Sequence, residues 1–116
     1  MEIKFRAWDK DLNEMYGWSH MLTGYMQGYL TGYYNVELMQ YTGLKDKNGV
    51  DIYAGDIFKT RWPSVLAVVE WDEGGSRFLG WTLEHERKIV YVGQEPAVEV
   101  IGNRWENPNL LGAPPC

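Results

Sequence analysis

The residues able to do chemistry are few and scattered. Asp9, Asp11 and Asn13 reproduce the opening of a calcium loop, D-x-D-x-N, in which alternate side-chain oxygens converge on a hard cation. The pattern then breaks. Glu14 stands where the loop's sharp turn needs Gly, and His20 stands where a bidentate Glu closes the coordination sphere. A polar hairpin loop accounts for the same residues. His20 and His85 lie far apart and the sole cysteine, Cys116, is terminal, so no spacing resembles a zinc site. Ser19 beside His20 is adjacency, which makes no triad, and no G-x-S-x-G occurs. Glu70 with Asp72, and Glu84 with Glu86, each share a strand face as paired carboxylates would, but such pairs are commonly solvated. Gly74-Gly75 lacks the Lys-Ser/Thr of a phosphate loop and reads as a hairpin turn. The expectation is a non-enzyme with no metal and no cofactor.

The elements that would position these residues are mostly strands. Ile3, Phe5 and Ala7 alternate with Lys4 and Arg6, the period of a half-buried strand, and a polar loop then returns the chain through Met15, Tyr16 and Trp18. Residues 36–41 form a second strand. Asn48-Gly49 is a hairpin turn calling for positive φ at Gly49. Gly55 allows a bulge or sharp turn before the strand containing Ile57 and Phe58, and Asp56 is expected to hold a nearby backbone amide. Residues 65–71 (VLAVVEW) are almost continuously apolar and predict a central strand buried on both faces. Residues 78–83, 88–92 and 98–101 complete the set, and Asn107-Pro108 ends regular structure, with Leu110 and Leu111 folding back. Seven or eight short strands predict a mainly β fold, a small barrel-like or sandwich-like sheet with little helix. The helical candidates are residues 13–18, 84–87 and the segment described next.

Residues 17–35 contain no acid and no lysine, and repeat Gly-Tyr at a spacing of four: Gly24-Tyr25, Gly28-Tyr29, Gly32-Tyr33. That spacing aligns Tyr25, Tyr29 and Tyr33 on one side of either a helix or a strand. Such a row completes a core, forms a loop, or presents a rigid contact surface; as a contact surface it makes these three tyrosines the candidate partner-binding residues.

The chain's 116 residues suit a single domain over residues 1–111 with a flexible tail at 112–116. Sixteen acids against eleven bases give a net charge of −5, which disfavours nucleic acid as a partner because no basic face is available for phosphates. One terminal cysteine means no internal disulfide. With no signal-like or membrane-spanning run, the cytoplasm is the expected location.

Three blocks carry a family resemblance: residues 3–9 (IKFRAWD), 38–58 (LMQYTGLKDKNGVDIYAGDIF) and 99–111 (EVIGNRWENPNLL). Together they resemble the YopX family of phage and prophage proteins. The middle block, QYTGLKD-x-NG-x-x-IY-x-GDI, is the specific one. Residues 17–35 correspond to nothing in that pattern. The resemblance implies a mainly β fold and an origin in a bacteriophage or an integrated prophage, which makes the expected cytoplasm that of a bacterial host, and supplies no catalytic residue. Turn glycines and packed aromatics such as Trp8, Tyr41, Tyr53 and Trp105 specify a fold more than a reaction. The expected role is an accessory protein that binds a host or phage protein or forms a homo-oligomer. The alternatives are a binder of nucleotide-like small molecules, stacking a base on exposed rings, and a nucleic-acid-binding module.

Overall fold

Alternating apolar and charged residues open the chain as a strand, and the computed structural model places β1 at Phe5–Asp9. The structure describes residues 3–23, 28–29, 34–60, 65–75, 77–83, 88–92 and 98–111. The fold is mainly β. Among the described residues it has nine strands in two sheets, the short α-helix α1 (Trp18–Thr23) and a 3-10 turn, with Gly28 and Tyr29 also helical. The count exceeds the seven or eight expected, with Asp51–Tyr53 a short strand of its own before the reversal at Ala54-Gly55, which Gly55 allows as expected. The chain separates into two compact units, Met1–Tyr41 and Thr42–Cys116.

In the first unit β1 is flanked by β2 (Glu14–Tyr16) and by β3 (Val36–Lys45), both antiparallel, with Ala7 opposite Tyr16 on one side and Leu38 on the other. Of residues 13–18, a helical candidate by sequence, only Trp18 is helical; Asn13 is a turn residue and Glu14–Tyr16 are strand β2. The Asn13 N–H donates to the Asp9 carbonyl at 2.8 Å, and Asn13 takes a left-handed φ of 55°, which Asn tolerates. That reversal leaves Met15 and Tyr16 no course but pairing with β1. The helix α1 begins only at Trp18 and runs to Thr23. Met21 is buried on its inner side while Leu22 faces solvent.

The second unit holds a five-stranded sheet built from β5 (Asp56–Lys59), β6 (Leu66–Asp72), β7 (Arg77–Thr82), β8 (Ile89–Val90) and β9 (Glu99–Asn103), in the order β8-β7-β6-β5-β9. β6 is the middle strand, and Ala67, Val68 and Val69 are buried in succession, so both faces are covered as the apolar run predicts. One face supplies the core: Phe58, Ala67, Val69 and Val90, joined by Ile52, Val92 and Val98. The final stretch departs from expectation. Pro108–Leu111 forms a 3-10 turn, because Pro in the first turn of a helix needs no N–H partner and its φ is preset. The tail at 112–116 lies outside the described residues.

The end of β3, from Thr42 onward, continues in the second unit with β4 (Asp51–Tyr53) as its sheet neighbour. Between them the chain turns around Asp46, which is buried. Its Oδ1 accepts the Asn48 and Val50 N–H groups at 2.8 and 2.9 Å, and its Oδ2 accepts the Val100 N–H of β9 at 2.9 Å. The Lys47 N–H reaches the Val98 carbonyl beside it. One carboxylate therefore closes the turn and fastens it to the last strand. Burial alone would raise its pKa, but the three N–H donors and Lys47 outweigh that and hold it below the ordinary carboxylate value.

Gly49 closes the turn with φ 80°, as its sequence predicts, and a Cβ there would meet nothing within 4 Å. Any cost of substitution is therefore backbone strain. Gly49→Val is expected to lose about 1–2 kcal/mol in urea unfolding, and Gly49→Asn distinctly less, since Asn enters the left-handed region more readily. Equal losses for the two variants would contradict this account.

Candidate functional site

The first unit gathers an aromatic cluster around the β1–β2 hairpin. Asp9 organises it. Its Oδ1 accepts the Asp11 and Leu12 N–H groups at 2.9 and 3.0 Å, the local hydrogen bonding that a turn aspartate makes with backbone two and three residues on. Its Oδ2 accepts the Tyr16 hydroxyl at 2.8 Å. The D-x-D-x-N residues are thus spent on a hairpin: Asp9 on its own turn, and Asp11 on the Asn35 side-chain amide at 3.1 Å. Among the described residues no group of three or more His, Cys, Asp or Glu is placed to hold a metal ion.

Tyr16 is fixed at the end of β2 by that hydroxyl bond, and its ring is the hub. The imidazole of His20, in the first turn of α1, stacks on it with centroids 4.6 Å apart and planes 20° from parallel. Tyr29 meets the Tyr16 ring edge-on at 6.1 Å and 67°, and Tyr34 lies tilted against Tyr29 at 4.9 Å. Both geometries suit the ring quadrupole. Trp18 extends the group towards Phe5, 6.0 Å away. Gly28 is there for close approach. The Tyr34 N–H donates to its carbonyl at 3.1 Å, and a Cβ at this position would overlap the Tyr34 ring. Tyr16, Tyr29 and Tyr34 are all half-buried.

The electrostatics follow from one hydrogen bond. The Tyr16 hydroxyl, then the Leu12 and Asp11 N–H groups, hold the Asp9 carboxyl below its ordinary value against the opposing effect of burial. The same bond, with burial and the charge of Asp9 behind it, pushes Tyr16 up to about 12. Tyr29 is raised by burial, then by Tyr34 and Asp9. Tyr16 therefore stabilises the fold fully below its unfolded value of 10.0, and that stabilisation is lost as pH rises through about 12. Asp9 contributes above 3.8 and is lost as pH falls through its depressed folded value. In Tyr16→Phe the Asp9 carboxyl, followed by NMR, is expected to titrate closer to the ordinary carboxylate value, and the alkaline loss of stability should weaken. An unmoved Asp9 titration would show that the two groups are not coupled.

Of the row Tyr25, Tyr29 and Tyr33, only Tyr29 falls among the described residues; Tyr25 and Tyr33 lie outside them. The ring partners of Tyr29 come from outside the repeat, at Tyr16 and Tyr34. The stack of His20 on Tyr16 joins α1 to β2 across Gly17, so their spacing by four, which aligns residues only along one helix, did not foretell it. The contact of Tyr16 with Tyr29 had no signal in the sequence either. The other candidate groups disperse. Glu70 meets Arg104 at 3.3 Å and Asp72 meets Arg77 at 3.6 Å, so this carboxylate pair is neutralised by arginines. Asp56 is fully buried and accepts the Tyr53 N–H at 2.8 Å, the backbone-holding role its sequence predicts. His85, Glu84, Glu86 and Cys116 lie outside the described residues.

Comparison with known proteins adds two findings. A family model described as "YopX protein" matches residues 23–112. The match takes in part of the glycine-tyrosine segment, which has no counterpart in the three motif blocks, and leaves out the block at residues 3–9. The fold is similar to that in a structure titled "Crystal structure of protein EF1440 from Enterococcus faecalis", with a TM-score of 0.70 and 28% identity over 97% of this chain and 99% of that one. No curated protein matches the chain significantly.

Proposed function

The chain belongs to the YopX family, and from that premise we propose that it is a phage or prophage accessory protein that holds a protein partner against its tyrosine cluster. The observation that carries this reading is the cluster of His20, Tyr16, Tyr29 and Tyr34, whose rings are fixed by one another and by Asp9. Rigid aromatic rings bind with little loss of side-chain entropy and are enriched where proteins meet. The exposed side chains of Leu12 and Leu22 belong to the same unit and add apolar area. The negative net charge favours a protein over a nucleic acid as the occupant. Asp9, Asp11, Glu70 and Asp72 are engaged in turns and ion pairs, which favours binding over catalysis.

The test compares the wild-type chain with Tyr29→Ser and, as a control in the other unit, Tyr91→Ser. Capture from the bacterial host and its phage, light scattering and melting temperature are read together. Tyr29→Ser is expected to weaken a defined partner by at least about tenfold while Tyr91→Ser does not, as for a contact worth more than ~1.4 kcal/mol. Early melting with no selective loss of association would make the cluster part of the core and end the binding reading. A mass change of the chain alone would identify the partner as a second copy. A nucleotide retained in native mass spectrometry would replace a protein partner with a small molecule.

A further inference from the structure

The Asn48-Gly49 turn carries a chemistry that the binding reading does not use. An asparagine followed by glycine is the sequence most open to attack by its own backbone, because no side chain shields the following nitrogen. Asn48 is exposed, and the space around Gly49 is open. Yet the attacking nitrogen is not idle. The Gly49 N–H donates to the Asp46 carbonyl at 3.0 Å, while the Asn48 and Val50 N–H groups on either side are held by the Asp46 carboxylate. The Val50 carbonyl in turn accepts the Asp46 N–H at 2.8 Å.

We infer that Asn48 is a site of spontaneous, irreversible modification, gated by opening of the Asp46 turn. In the opened turn the Gly49 nitrogen attacks Cγ of Asn48. The new N–Cγ bond closes a succinimide, the Cγ–Nδ2 bond breaks, and ammonia leaves with the proton given up by the Gly49 amide. Water then opens the ring. Addition at Cγ returns an ordinary backbone with aspartate at 48; addition at the main-chain carbonyl routes the backbone through the side chain as isoaspartate. No oxidant or reductant is required.

The consequence follows from the position of the turn. Isoaspartate inserts an extra backbone carbon between the N–H groups of residues 48 and 49, so they and the Val50 N–H no longer fit one carboxylate. The bond from the Val100 N–H to the same carboxylate then loses its positioned acceptor, and β9 loses its fastening to the turn. Closed, the turn protects the site; once modified, it cannot close in the same way. The site sets a limit on the lifetime of the folded chain.

The experiment incubates the intact chain and a peptide spanning residues 45–51 at neutral pH, and follows conversion by peptide mapping and enzymatic isoaspartate methylation. The folded chain is expected to convert at least ~10-fold more slowly than the peptide, the factor for an opening free energy of about 1.4 kcal/mol or more. Asp46→Asn, with a weaker acceptor, is expected to recover most of the peptide rate. Should that variant fail to fold, the wild-type chain decides alone: over a temperature series below melting, conversion should rise in step with hydrogen exchange of the Gly49 amide. Equal rates in chain and peptide, or conversion that ignores amide exchange, would overturn the gating. A peptide that does not convert would overturn the site itself.

Discussion

Phe58→Ala is expected to destabilise the protein by about 3–5 kcal/mol and to lower its melting temperature by roughly 10–20 °C. Phe58 is fully buried on β5, opposite Ala67 on β6 and Val100 on β9. Its ring reaches across β6 to β7, where a Cβ on Gly80 would lie only 2.6 Å from its tip. The ring thus fills space that Gly80 leaves open, and three strands pack on one side chain. Truncation removes the transfer free energy of the ring and leaves a cavity that a hydrogen-bonded sheet cannot close. Phe58→Leu, which keeps much of the volume, should lose only about half as much. A loss below about 1 kcal/mol for the alanine variant in urea unfolding would mean that the ring is not central to the core.

Asp46→Asn is expected to cost about 2–4 kcal/mol, because a neutral amide replaces a carboxylate that accepts three backbone N–H groups. An amide has one acceptor oxygen, and its NH₂ would face an N–H that still needs a partner. The pH dependence separates this charge effect from packing. The Asp46 carboxyl is held below its ordinary 3.8 in the folded chain, so the unfolded chain binds the proton first. The stabilisation is complete above the unfolded value and disappears as pH falls through the folded one. The wild-type chain should lose stability on acidification below about pH 4, and the Asn variant should lose less over the same range. Parallel acid limbs for the two proteins would show that Asp46 titrates alike whether folded or unfolded.

These two residues mark the boundary of what could be read in advance. Phe58 was legible as part of a strand, and the apolar run through Val69 as a strand covered on both faces, because a period of two and an unbroken apolar stretch follow from backbone geometry alone. The positive φ of Gly49 was legible for the same reason: a tight reversal imposes it locally. The amide-holding role of Asp56 was within reach because its partner, Tyr53, is close in sequence.

The Asp46 clamp was not legible. Its third partner, Val100, is 54 positions away, and nothing in the alternation of β3 or β9 says that they approach one another. Two blocks of the family motif meet there, yet sequence showed them only as separate stretches. The tyrosine site divides along the same line. Spacing by four placed Tyr29 in a row, but its ring partners are Tyr16, brought in by the Asp9 turn, and Tyr34, brought in by contact with Gly28.

By itself, then, the sequence determined the mainly β character, the principal turns, the two-sided burial of β6 and the family. Tertiary structure alone decided the sheet order, the distant partner of the buried Asp46 carboxylate and the composition of the aromatic cluster. The physical reason is range. Local conformation is set by sterics and hydrophobic period within a few residues, whereas pairing depends on which distant segments together recover more burial and hydrogen bonding than closing the chain between them costs.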